Sequence, residues 1–224
     1  MKQKILKHIP LKLKHIIVWS LNLFFSRNNL LSCIFKTYMG GDKNTLHIKS
    51  MTRLKNCHFR FKGNGNQIII GKRCKLNGLH IMLEGNNNIV YIGNNVIINA
   101  SQSKPTIMNA VEGTSIYIGD ECLFSNNIEL HTSDYHSILD NNTSVRINPS
   151  KNIQLEERVW VGLRTIILKG TYIASNSIIG AGSIVSGQVK ESNVIIAGCP
   201  AIVRKKNVKW MLQKINSLTQ PNVK

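Results

Sequence analysis

From Leu155 the chain divides into six consecutive hexapeptides: LEERVW, VGLRTI, ILKGTY, IASNSI, IGAGSI and VSGQVK. Position one is aliphatic each time (Leu155, Val161, Ile167, Ile173, Ile179, Val185). Position five is small or β-branched each time (Val159, Thr165, Thr171, Ser177, Ser183, Val189). The same phase appears upstream in IGDECL and FSNNIE (118–129), IGNNVI (92–97) and IGKRCK (70–75). A period of six with glycine at turns is the signature of a parallel β-helix. Each hexapeptide supplies one short strand and one turn, and three close a triangular coil of about eighteen residues. The aliphatic first positions stack along the axis, and no coil could bury its face alone. Cys74 and Cys122 fall in the small inward slot and read as core thiols.

The repeat is interrupted twice. Residues 101–115 break phase moderately and suggest a longer coil side. Residues 132–151 break it fully, and a long unrepetitive loop in a compact repeat array points to function. The expected organisation is a basic, partly helical segment over 1–62, a β-helix over 63–205 carrying the inserted loop 132–151, and a short helix and tail over 206–224. Residues 2–37 read as one or two basic amphipathic helices. They either cap the domain or lie on an anionic membrane. The run IIVWSLNLFF (16–25) is interrupted by Asn22 and followed by no small-x-small site. It is short of the roughly 20 apolar residues that span a bilayer, so neither a signal peptide nor a transmembrane helix is expected.

Charge narrows the partners. The formal net charge is +18, and residues 1–62 hold thirteen Lys/Arg against one acid, Asp42. Such a field favours anionic partners. Nucleic acid is not among those expected, because no zinc-finger spacing or RNP-like strand is present and aromatic residues are only 6%. Five widely spaced cysteines without a C-x-x-C fit reduced thiols in a cytosolic protein.

The string RVWVG, ILKG, IIGAGSIV and AGCPAIVR resembles the hexapeptide-repeat acyltransferases, over about residues 65–207. Within that family, HTSDYHSI…RINP…VWVG is similar to bacterial O-acetyltransferases of capsular polysaccharide and O-antigen, notably of sialic acid capsules. The resemblance implies an all-β, left-handed parallel β-helix, acetyl-CoA as cosubstrate without a metal, and a homotrimer. It carries the catalytic base onto His136, which stands 24 residues before Trp160. It also implies that Trp160 lines the thioester site, with Gly162, Leu163 and Ala181 along the pantetheine. Many relatives have Thr-Lys where this chain has Ser186-Gly187, so Arg204 and Lys205 are left to meet the CoA phosphates.

Three readings of the two loop-mouth histidines compete. In the first, His136 takes the proton of an acceptor hydroxyl, a task suited to imidazole near neutrality. Donors near Trp160–Gly162 would meet the oxyanion, and either Asp134 or a backbone carbonyl would orient the ring. In the second, His131 and His136 bind zinc, but no third ligand stands at the expected distance. In the third, both are polar loop residues of a noncatalytic module; for His131 this is preferred, with acceptor contact as the alternative. The expected function is O-acetylation of a bacterial surface polysaccharide, acidic by the charge argument, in the cytoplasm or at the cytoplasmic face of the inner membrane. The alternatives are acetylation of a small or nucleotide-linked amino sugar, and an inactive β-helix interaction module.

Overall fold

The structure is a computed structural model and describes residues 34–213. Its strands stack in three rows that form the faces of a triangular prism, a left-handed parallel β-helix. The first face holds β3 (Arg53–Lys62), β6 (Leu79–Glu84), β9 (Thr106–Val111), β12 (Glu129–His131), β15 (Ile166–Leu168) and β18 (Ile184–Val185). The second holds β5 (Lys75–Asn77), β8 (Ile97–Asn99), β11 (Leu123–Phe124), β14 (Trp160–Val161), β17 (Ile178–Ile179) and β20 (Ile195–Gly198). There β21 (Ala201–Lys205) folds back antiparallel on β20. The third holds β2 (Thr45–Ile48), β4 (Gln67–Ile70), β7 (Ile89–Ile92), β10 (Ser115–Ile118), β13 (Ile153–Leu155), β16 (Tyr172–Ile173) and β19 (Gln188–Val189). β1 (Ile34–Gly40) pairs with β3. Each full coil runs from the third face to the second, then the first, and back to the third.

The six-residue period becomes packing as the repeat dictates. First positions Leu155, Val161, Ile167, Ile173, Ile179 and Val185 are all buried in one continuous core. Fifth positions Thr165, Thr171, Ser177 and Ser183 are buried polar groups. Their hydroxyls donate to nearby backbone carbonyls, Thr165 to Gly162 at 2.8 Å and Ser183 to Gly180 at 2.6 Å. These bonds offset the cost of burying a hydroxyl. Cys74 and Cys122 are buried as expected, and desolvation pushes the Cys122 thiol up to about 12, which keeps it protonated and inert.

Coil length is not constant. Trp160 lies opposite Ile178, a step of 18, but Gln67 lies opposite Ile89, a step of 22. The longer coils keep the aliphatic-glycine turn at Ile70-Gly71 and Ile92-Gly93 and add an asparagine ladder at the edge between the first and third faces. The Asn66 side-chain oxygen accepts from the Asn88 backbone N–H at 2.9 Å, and Asn44 does the same for Asn66. Turns close so tightly that Gly63, at φ 120, has no room for a side chain: a Cβ would stand 2.1 Å from the Gly85 oxygen.

Several expectations change. Of the helices expected over 2–37, residues 1–33 lie outside the described residues, and 34–37 belong to strand β1. The β-helix does not begin at 63: β2 and β3 already pair in its sheets. Arg53, Lys55, Arg60 and Lys62 therefore stand on the β-helix itself, at outward positions of β3. The expected C-terminal helix does not form over 206–213, and 214–224 lie outside the described residues. Among the described residues there is no helix. The moderate break at 101–115 does form the longer coil side expected of it: the step from Ile97 to Leu123 is 26 residues, and it holds a regular six-residue strand, β9.

Candidate active site

The loop 132–151 leaves the edge between the first and third faces, after β12, and returns into β13. Its bonds to the coils are made at that edge. Arg146 and Ser150 both donate to Glu112 Oε2, at 3.0 and 2.7 Å, and the pair holds the Glu112 carboxyl below its usual range, Ser150 contributing most. Inside the loop, buried Asn148 donates from Nδ2 to Asp134 Oδ2 and to the His136 carbonyl, both at 2.8 Å. Lys169, on the next coil, donates from Nζ to Asp134 Oδ2 and to the Asn148 carbonyl. The lysine first, then Asn148, holds the Asp134 carboxyl below the usual carboxylate range.

This clamp answers what Asp134 does. Its carboxylate does not orient the His136 ring; it is taken by Lys169 and Asn148. What reaches His136 is the Asp134 backbone carbonyl, which accepts from the His136 backbone N–H at 2.8 Å. The His136 side chain is exposed and makes no side-chain hydrogen bond among the described residues. Asp134 thus fixes the backbone that carries the imidazole and leaves the ring nitrogens open.

His131 differs from the expected loop residue. It ends strand β12, half-buried, with Nε2 2.9 Å from Glu129 Oε2 and Nδ1 3.3 Å from the Asn109 Nδ2. The network assigns the Nε2–H tautomer: the ring donates to the carboxylate and accepts from the amide. Both ring nitrogens are occupied, and no group of three His, Cys, Asp or Glu side chains suited to a metal occurs among the described residues. Between the two histidines Tyr135, at φ 63, reaches back to the Asn109 side chain on the first face.

Trp160 stands on the second face, in β14, 38% exposed. Its indole meets that of Trp210 at 6.1 Å between centroids, tilted by 49°. Trp210 is nearly buried; Nε1 donates to the Arg158 carbonyl at 2.8 Å, and the Arg158 guanidinium lies 5.3 Å over its ring. Gly162, Leu163 and Ala181 come together at the edge between the second and first faces. The Gly182 N–H donates to the Leu163 carbonyl at 2.7 Å, and a Cβ on Gly162 would stand 2.6 Å from the Ala181 nitrogen. Ser186 and Gly187 lie elsewhere, between β18 and β19 on the loop's own edge. Arg204 and Lys205 are exposed in β21, with Arg204 Nε donating to the Ala197 carbonyl at 3.0 Å.

The edge that carries His136 is the one opposite the face that carries Trp160. A single chain therefore does not bring these two side chains together. Sequence reasoning missed Lys169, Asn148, Glu129 and Trp210. Lys169 sits at a variable outward position of ILKGTY, where nothing local marks it; Trp210 lies past the last repeat, where the period gives no guide.

No family profile matches the sequence. The galactoside O-acetyltransferase of Lactococcus lactis is 33% identical over 96 residues, which are 43% of this chain and 45% of that enzyme. The chain thus spans less than half the length of this curated relative. The crystal structure of the polysialic acid O-acetyltransferase OatWY superposes with a TM-score of 0.66 at 28% identity, covering 81% of this chain and 95% of that one. That of the polysialic-acid-specific acetyltransferase NeuO gives 0.64 at 28%, covering 82% and 85%. These relatives are acetyltransferases, and the chain shares the β-helix of the two solved ones.

Proposed function

We propose that the protein is an acetyl-CoA-dependent O-acetyltransferase whose acceptor is a hydroxyl of an acidic bacterial surface polysaccharide. The observation that carries this is the likeness to two polysialic acid O-acetyltransferases over more than four fifths of the chain. In this reading the His136 imidazole, open at both nitrogens, takes the acceptor hydroxyl's proton as its oxygen attacks the thioester carbonyl. The C–O bond forms, the C–S bond of the tetrahedral intermediate breaks, and the imidazolium returns its proton to the departing thiolate. Trp160 supplies a donor for the oxyanion through its indole N–H, because the backbone N–H groups of Trp160 and Gly162 are already given to the Ser177 and Ile179 carbonyls. The exposed step at Leu163 and Ala181 suits a slender, partly apolar pantetheine arm. Exposed Arg204 and Lys205 supply charge for its phosphates.

The separation of His136 from Trp160 supports a site shared between two copies, His136 from one and Trp160 from its neighbour, in a homotrimer. A head-to-tail contact of this kind closes into a ring. The basic side chains of β3 and of residues 1–33 support attraction to a polyanion. The second claim on that charge is the cytoplasmic face of the inner membrane, as a peripheral protein; among the described residues no helix is long and apolar enough to cross a bilayer. Thiol release from acetyl-CoA, measured with polysialic acid and with neutral dextran, tests the reading. Release with the acidic polymer that His136→Ala abolishes is expected. Acetyl-CoA turnover indifferent to any glycan, or release retained by His136→Ala, overturns it.

A further inference from the structure

On the first face, beside the mouth of the loop, lies a hollow of about 350 Å³ lined by His58, Arg60, His80, Met82, Ile107 and Asn109. The register explains how it arises. One outward row of this face reads His58, His80, Ile107, Glu129, and the next reads Tyr38, Arg60, Met82, Asn109, His131. The hollow occupies the lower rungs of the same two rows whose upper rungs hold the Glu129–His131 pair. Tyr135, next to His136, closes on Asn109 at its rim. The hollow and the candidate catalytic loop are therefore continuous.

Its chemistry is mixed in a particular way. The His58 and His80 rings stack face to face, 4.3 Å apart and 7° from parallel. With Met82 and Ile107 they offer flat and apolar surface. Arg60 lies 5.7 Å over the Tyr38 ring and pairs with no carboxylate among the described residues. Lys62, two positions on, is by contrast already paired with Glu84. The Nε2 of His80 is buried without a hydrogen-bond partner, a costly arrangement that a guest hydroxyl could relieve. Apolar faces, an amide, an orphaned imidazole nitrogen and one unclaimed guanidinium suit a pyranose ring that bears a carboxylate. Its volume is near the low end of ligand pockets, about 300–1,000 Å³, so it fits a sugar unit or two and not a long stretch of chain.

We propose that this hollow is an acceptor subsite for a carboxylate-bearing sugar unit, held by Arg60 through its carboxylate and flanked by His80 and Asn109. The unit would be one or two residues along the chain from the hydroxyl at His136. This rests on the polysaccharide reading above, and the test separates the two. The full-length protein is titrated with α-2,8-linked sialic acid oligomers without acetyl-CoA, and transfer kinetics are measured alongside. Arg60→Ala removes the charge, and Ile107→Trp fills the hollow. Arg60→Lys, with a point charge in place of a two-pronged donor, should be intermediate and controls for folding.

Loss of a charge-assisted bond is expected to weaken oligomer binding about tenfold or more in Arg60→Ala and Ile107→Trp. The same factor should appear in acceptor KM, with kcat little changed. Oligomer binding that both variants weaken in a protein that transfers no acetyl group would sustain the subsite and sink the transferase reading. Transfer by the wild type, with both folded variants binding the oligomer as tightly as it does, would sink the subsite alone. Equal binding of a neutral glucose oligomer would also sink it, because Arg60 would then have no carboxylate to hold.

Discussion

At the scale of single residues, the candidate chemistry depends on which side chains are occupied and which are open. His131 has both ring nitrogens taken, by Glu129 and Asn109. His136 has neither, and its position is set by backbone and by Asn148. His136→Ala should therefore lower transfer by about 10²–10⁴-fold. His131→Ala should do much less, through loosening of β12, with oligomer and CoA binding retained in both. Equal loss in both variants, measured as kcat, would refute the assignment. Asp134 makes a second prediction. Its depressed pKa means that the clamp to Lys169 is intact above the usual carboxylate range and is lost as pH falls through the lower folded value. Amides of residues 136–148 should lose hydrogen-exchange protection in acid before the coils do, and Asp134→Asn should show that loosening already at neutral pH. The family resemblance pointed to His136 through its spacing from Trp160 and left Asp134 and a backbone carbonyl as alternatives for orienting the ring; the Asp134 carboxylate is taken by Lys169 and Asn148 instead. The partner that claims that carboxylate is 35 residues away, brought close only by one coil stacking on the next.

At the scale of elements, each short strand contributes one or two inward side chains, so each must pack well. Ile167 is fully buried between Leu130 and Val185 of the neighbouring rungs. Ile167→Ala should cost about 2–5 kcal/mol, read from denaturant unfolding, and a change within about 0.5 kcal/mol would mean that the rungs rearrange to close the gap. The regular hexapeptides were legible because side-chain alternation and turn chemistry repeat in phase. The lower coils were less so. Their 22-residue steps place six-residue strands on the first face, and one turn of each rests on Asn44, Asn66 or Asn88, so the aliphatic-glycine pairs recur there only once per coil and the period of six is broken between them. That is why residues 45–62 read as a separate basic segment when they are coil. Nothing local in Arg53–Lys62 says that its alternating basic side chains face out from a buried row of Leu54, Cys57, Phe59 and Phe61.

At the scale of the whole molecule, the opposed placement of His136 and Trp160 carries a prediction about assembly. Oligomers made wholly of His136→Ala or wholly of Trp160→Ala chains should be inactive. When the two are mixed and reassembled in equal amounts, about a quarter of the sites should pair an intact His136 with an intact Trp160, if the contact is head-to-tail in a ring. Activity that does not recover on mixing would refute a site shared by His136 of one copy and Trp160 of its neighbour. Charge also acts at this scale. Attraction between exposed charges is screened beyond roughly 8 Å at physiological ionic strength. The acceptor KM should therefore climb with salt while kcat holds, and replacing Arg53 and Lys55 should flatten that climb. A salt-insensitive KM would assign the basic surface to membrane lipid instead.

The stacking of parallel strands has one more consequence. Neighbouring rungs are spaced by roughly 4.8 Å everywhere along the axis, so the first face is graduated like a ruler. His80 and Glu129 lie two graduations apart, with Ile107 between them. Insertion or loss of a whole coil would move the hollow against the loop by one graduation and leave every local contact type unchanged. Such a scaffold can alter which unit of a polymer it measures from, in whole-number steps, without redesigning either the place that grips or the place that reacts.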